Sequence, residues 1–171
     1  ILAFIIISLI LWNYLKLKIK SNFNNNINYL FPLIFITLIY LQIIIGAFVS
    51  GLDAGKIYNS WPYMGSSLFP DDNNFINLFN LSAFSDPSLV QFMHRNLAYI
   101  IFLFYLFIMI KIYSKKLTGL YFSICLVGLL LIIQIILGIL TLIYGAQIIL
   151  ASMHQLSSIF LVSSSIYFLY L

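Results

Sequence analysis

Residues 118–143 read TGLYFSICLVGLLLIIQIILGILTLI, and no charge interrupts them. The run exceeds the ~20 apolar residues that an α-helix needs to cross a hydrocarbon core of about 30 Å. Its Cys125 is the only cysteine in the chain, so no internal disulfide or Cys-x-x-Cys site can form. Working outward, similar stretches occupy residues 30–50, 89–110 and 149–171, and a shorter one occupies 1–15. Of the 171 residues, 63% are hydrophobic and only 7% charged, with a mean hydropathy of +1.09. Eight Lys/Arg and four Asp, with no Glu, are too few to solvate the surface of a globule this size. The expected fold is therefore all-α, a polytopic membrane protein. Residues 30–171 form a four-helix transmembrane bundle with a long outer loop at 51–88. A linker at 16–29 precedes it, and residues 1–15 are the end of a preceding transmembrane helix. The chain begins with Ile inside an apolar stretch that has no signal-peptide n-region, so it reads as starting partway through that helix. Disordered, collagen-like, disulfide-scaffold and nucleic-acid-binding classes are excluded.

Charge sets the expected orientation. Lys16, Lys18 and Lys20 follow the first stretch, and Lys111, Lys115 and Lys116 follow the third. The positive-inside rule puts both clusters on the cytoplasmic or matrix side. Every Asp falls between residues 53 and 86, in the loop on the other side. The net charge of +4 is thus a topology signal and calls for no nucleic-acid partner. The C-terminus then ends inside. The Asn-rich stretch Asn22, Asn24, Asn25, Asn26, Asn28 is a solvated connector without chemistry.

Two helix pairs repeat. Residues 42–49 read QIIIGAFV and 134–141 read QIILGILT; residues 93–98 read MHRNLA and 153–158 read MHQLSS. The Gln offset is 134 − 42 = 92 and the His offset 154 − 94 = 60, so the first loop is longer by 32 residues. Each pair runs outward through a Gln-x-x-x-Gly helix and returns through one bearing Met-His near its outer end. Shared orientation implies a parallel repeat about an axis along the membrane normal, with a site between facing helices.

His94 and His154 are the chain's only histidines. Both sit about five residues into inward-running spans, roughly 7 Å below the outer ends at ~1.5 Å per residue. Gly46 and Gly138 lie at that level on the other two helices, where glycine permits close approach to a flat cofactor or a neighbouring helix. A neutral imidazole ligates iron, and an opposed pair would hold a haem edge-on in the bundle. The alternative is a pair of interhelical hydrogen-bonders. Zinc would lack a carboxylate or thiol at that depth to complete four ligands, and Ser157 and Ser158 read as packing or back-bonding groups. Arg95, the only arginine, lies in the outer part of a span. Its side chain can snorkel outward or pair with an anion such as a haem propionate, and the two are compatible. The loop GLDAGKIYNSWPYMG, residues 51–65, is either an ordered interfacial cap with Tyr58, Trp61 and Tyr63 at headgroup level or a cover that orients a cofactor.

These residues resemble a known family. LQIIIGAFVSGLDAGKIYNSWPYMG, VQFMHRNLAY, QIILGILTL and LASMHQLSS are similar, in order and spacing, to the C-terminal half of haem A synthase, over residues 41–158. The resemblance implies an eight-helix protein of two similar halves that oxidises the methyl group of haem O to the formyl group of haem A for terminal oxidases. It implies a b-type haem between the histidines that map onto His94 and His154, with Arg95, Gly46 and Gly138 as further cofactor-binding candidates. It also implies haem O and haem A as ligands, an electron-transfer partner, haem O synthase as a neighbour in biosynthesis, and a bacterial inner or mitochondrial inner membrane. An oligomer stays open. The family's N-terminal half, with its own histidines and an acidic residue serving the substrate haem, has no counterpart in these residues, so no catalytic residue is assigned here. The cysteine pair that some members carry in the outer loop is also missing.

Three functions compete. The first is an oxidoreductase of haem biosynthesis, with this half supplying a cofactor haem. The second is an electron-transfer cytochrome b module with no substrate haem. The third, a transporter of parallel repeats, requires a broken helix or a polar midplane cluster, yet Gln42 and Gln134 are the only polar groups deep in their spans. The first is preferred.

Overall fold

The computed structural model describes residues 1–18 and 27–171; Lys20 and Asn22, Asn24, Asn25 and Asn26 of the expected linker lie outside them. Among the described residues, five α-helices form: α1 (Leu2–Lys18), α2 (Leu30–Gly51), α3 (Pro87–Ser114), α4 (Tyr121–Ile143) and α5 (Ile148–Tyr170). Four candidate membrane spans result, Leu30–Gly51, Pro87–Ser114, Thr118–Ile143 and Ile148–Tyr170. The 22 residues of α2 extend for about 33 Å, enough to cross the hydrocarbon core.

Local chemistry explains the ends. α3 begins at Pro87, two residues before the apolar run, because Asp86 caps it: its carboxylate accepts from Ser88 N at 2.9 Å and Leu89 N at 3.1 Å. Proline at the first helical position loses no bond there. At the other end α3 runs on to Ser114, past Lys111, whose cation suits a helix C-terminus. The turn between α4 and α5 is short, with Gly145 at φ 68° and Ala146 at φ 56°. Left-handed backbone of this kind reverses the chain tightly, and glycine adopts it without a Cβ penalty.

α2 packs mainly on α3 and α4 mainly on α5, while α2–α5 and α3–α4 contacts close the ring. The histidine-bearing helices α3 and α5 are thus diagonal to each other. α1 lies against α5, with Trp12 edge-on to Tyr170 at 5.5 Å, and Ser8 hydrogen-bonds Tyr40 of α2.

The core is unevenly placed. In α4 the buried residues are Ser123, Ile124, Val127, Gly128 and Leu131. In α5 they begin only at Ser158 and continue to Tyr170. These meet Ile101, Tyr105, Ile108 and Ile112 of α3 and Phe35, Ile36 and Ile39 of α2. The tight core therefore fills the half remote from the long loop, where Tyr105 Oη donates to Ile124 O at 3.2 Å. Toward the loop the helices stand apart. Leu103, Phe122, Leu129 and Phe160 point outward, each more than half exposed. In a bilayer such side chains face acyl chains, while every helical backbone group stays satisfied.

Candidate cofactor-binding site

Where the helices stand apart they enclose a cavity of about 520 Å³, bordered by Gln42 of α2, His94 and Arg95 of α3, Gln134 and Gly138 of α4, and His154 of α5. Ile39, Ile43, Phe102, Leu131, Ile135 and Ile139 supply most of its apolar wall, and Gly55 and Trp61 of the loop border it too. A mostly apolar cleft with a few convergent polar groups, within the usual roughly 300–1,000 Å³, is the form of a cofactor site.

The two helix pairs build the same contact twice. Gln42 Nε2 donates to His94 O at 2.9 Å and lies 3.3 Å from His94 Nε2. Gln134 Nε2 donates to His154 O at 2.9 Å and lies 3.5 Å from His154 Nε2. One helical turn after each glutamine, the glycine meets the same imidazole: a Cβ on Gly46 would lie 3.1 Å from His94 Cε1, and one on Gly138 would lie 3.1 Å from His154 Cε1. The repeat read in the sequence is thus a repeat of side-chain contacts. The glycines face the histidine level, but what their bare faces admit is the edge of an imidazole. Gly138 also borders the cavity; Gly46 sits behind His94.

Arg95 reaches outward to the loop. Its guanidinium donates to Ser60 O at 2.9 Å, Tyr63 O at 3.3 Å, Tyr58 O at 2.9 Å and Gln91 Oε1 at 3.1 Å. Gln91, buried on the same helix, donates to Ala54 O at 2.8 Å and Tyr58 O at 3.2 Å. Together they pin residues 54–63 over the bundle end, with the charge met by carbonyl dipoles. Farther along the loop, Asp72 accepts from Tyr58 Oη at 2.9 Å and Ser88 Oγ at 2.6 Å. Partial burial opposes ionisation of Asp72, but the bonds from Ser88 and Tyr58 outweigh it and leave its pKa below the ordinary 3.8. Burial, then the bond to Asp72, raises the Tyr58 phenol above its ordinary 10.0.

Among the described residues, four buried polar atoms have no hydrogen-bond partner: Gln42 Oε1, His94 Nδ1, His154 Nδ1 and Arg95 Nε. Native interiors rarely tolerate such atoms, and all four belong to side chains on the cavity wall. Two imidazoles and an arginine N–H around an apolar cleft match the chemistry of a haem, an apolar plate with an iron and two carboxylates. The residues present fit that group. Ser157 Oγ lies 3.0 Å from His154 O and Ser158 Oγ 2.5 Å from Gln155 O, the back-bonding expected of both, and Ser157 Oγ also donates to Gln134 Oε1. Among the described residues, no three His, Cys, Asp or Glu side chains gather in one place.

Fold and site together define a polytopic helical membrane protein of repeated helix pairs, with a histidine-lined cavity near one face. The comparisons agree. Residues 1–166 match the COX15-CtaA family model, described as cytochrome oxidase assembly protein. The chain is 44% identical over 173 residues to Heme A synthase of Pelagibacter ubique, covering 99% of this chain and 50% of that protein. It is 40% identical to Heme A synthase of Rickettsia felis, over 95% of this chain and 50% of that protein. With the Rickettsia prowazekii protein of the same name the identity is 38%, over 99% and 53%. No solved structure matches. The chain belongs to the COX15-CtaA family, and it spans about half the length of the curated relatives it matches.

Proposed function

We propose that this chain supplies the cofactor-holding part of a haem A synthase, the oxidoreductase that converts the methyl group of haem O to the formyl group of haem A. His94 and His154 would hold the iron of a b-type haem, and Arg95 Nε–H would meet one of its carboxylates. The observation that carries this reading is that the chain's only two histidines border one cavity from diagonal helices, each backed by the same Gln and Gly.

Bound there, a haem supplies one-electron chemistry between ferric and ferrous iron. The protein's own contribution is placement. A neutral imidazole offers a ring nitrogen lone pair that can ligate iron. The glutamines and glycines fix each ring from two sides. The clamped loop closes the end of the cavity and limits water there. The relatives' name, Heme A synthase, supports haem A as the product, and the family description supports a role in cytochrome oxidase assembly. The orientation we infer puts the basic ends Lys16, Lys18, Lys111, Lys115 and Lys116 in the cytoplasm of a bacterial cell, with the loop outside the inner membrane.

The test is spectroscopic. Full-length protein purified from membranes carries low-spin haem, and His94→Ala or His154→Ala turns that signal high-spin or abolishes it. An unchanged low-spin spectrum in both variants overturns the assignment.

A further inference from the structure

The two imidazoles are held by matching glutamines, but the glutamines are not held alike. Gln134 is fixed at both ends of its amide. Its Nε2 donates to His154 O, and its Oε1 accepts from Ser157 Oγ. Ser157 Oγ also lies 3.0 Å from His154 O, but that carbonyl already accepts from Gln134, whereas Oε1 has Ser157 as its donor. The single hydroxyl proton therefore belongs on Gln134. Ser157 stands three residues after His154, and the residue three after His94 is Leu97. Leucine has no proton to give, and Gln42 Oε1 is left buried without a partner.

We infer that Gln42 and Gln134 are positioning residues for the two axial histidines, and that the two positions differ in strength: Ser157 locks Gln134 behind His154, while Gln42 leaves His94 the ligand that yields. This rests on the bis-histidine reading above. Each glutamine N–H that bonds the histidine carbonyl also sits beside Nε2, so the amide fixes where the ring stands. An amide bonded at one end can rotate away from its histidine at less cost than one bonded at both. A buried acceptor without a donor also favours such rearrangement. One ligand is thus firm and the other exchangeable, which gives a haem in this cavity one face that can open.

Carbon monoxide reads the difference, because it binds ferrous haem only where an axial histidine has left. The probe is CO added to the reduced full-length protein, followed by the visible spectrum. Ser157→Ala brings the firm side level with the yielding one, so that CO can enter on either face, and raises CO affinity by up to about twofold. Ser157→Thr keeps a hydroxyl and stays at the wild-type value. Leu97→Ser offers Gln42 a donor and lowers CO affinity up to about fivefold, the equivalent of one neutral hydrogen bond. General loosening of the bundle would not produce opposite signs from Ser157→Ala and Leu97→Ser. If Leu97→Ser fails to fold, the contrast between Ser157→Ala and Ser157→Thr still decides. Equal CO affinity in wild type, Ser157→Ala and Ser157→Thr overturns the inference while the low-spin spectrum stands. Persistence of that spectrum in His94→Ala and His154→Ala overturns the bis-histidine reading, and the inference with it.

Discussion

Gly46 and Gly138 each leave a gap that an imidazole edge fills, and 3.1 Å is closer than a Cβ normally stands to a ring carbon. Alanine at either position pushes the ring by a few tenths of an ångström, and leucine drives it out of place. Overpacking of this kind costs about 1–3 kcal/mol. Gly46→Leu and Gly138→Leu should therefore lose bound haem while keeping their helical circular dichroism, and the alanine variants should keep haem with shifted low-spin signals. Full haem occupancy in both leucine variants would assign the glycines to ordinary helix packing. Much of this was legible in the sequence, since histidine and glycine stand out within apolar runs and their spacing repeats. The glutamines were visible as polar residues at depth, but their bonds to the histidine carbonyls depend on the rotation of paired helices about their axes. That rotation is a product of packing, and hydropathy does not encode it.

At the scale of elements, the loop and the start of α3 act as one unit. Arg95 reaches three carbonyls and one amide oxygen through a planar fork. Lysine cannot span those acceptors, because its donors radiate from a single point. Arg95→Leu should release residues 54–63, at a cost of about 2 kcal/mol or more, since hydrogen bonds to a charged group contribute about 1.5–3 each. Faster protease cleavage within 54–63 would register the release, with Arg95→Lys intermediate; cleavage unchanged in Arg95→Leu would remove the clamp from the account. The loop should also respond to pH. Asp72 has a lowered pKa, so its contribution to holding Tyr58 and Ser88 is fully present above the ordinary carboxylate value and is lost as pH falls through the lowered one. Tyr58 has a raised pKa, so its share is present below the ordinary phenol value and is lost as pH rises through the raised one. Cleavage should be slowest between those limits, and Asp72→Asn should flatten the acid side. The apolar run placed the start of α3 at 89, because the capping Asp86 and the Pro87 after it carry no apolar signal. Arg95 could not be resolved in advance, because its acceptors are carbonyls whose direction is set by the loop's path.

At the scale of the whole molecule, the packing divides the bundle into a dense half and a hollow half. Core residues such as Ile108, Ile112, Ile124, Val127 and Val162 are almost wholly inaccessible and sit at the end remote from the loop. This dense end fixes the spacing of four helices whose other ends hold the cavity apart. Gly128 marks the join, because a Cβ there would run into the Tyr105 hydroxyl. Gly128→Ala should lower the melting temperature in detergent, overpacking costing about 1–3 kcal/mol, and should also reduce haem retention although the site lies elsewhere. A bundle so built has one cavity wall with imidazoles on both sides, and its two histidines are both committed to it. A second haem held by a second histidine pair has no ligands in these 171 residues. The chain expressed by itself should thus bind haem in a one-to-one ratio, measured by pyridine haemochrome against protein content. Supplied with haem O and an electron acceptor, it should form no haem A by chromatography of extracted haems. On the proposed reading, the methyl group to be oxidised sits on a haem other than the one His94 and His154 would hold, and these 171 residues contain no further histidine for it. Haem A made by the isolated chain would mean that the His94–His154 cavity receives the substrate itself, and the cofactor assignment would then have to be given up.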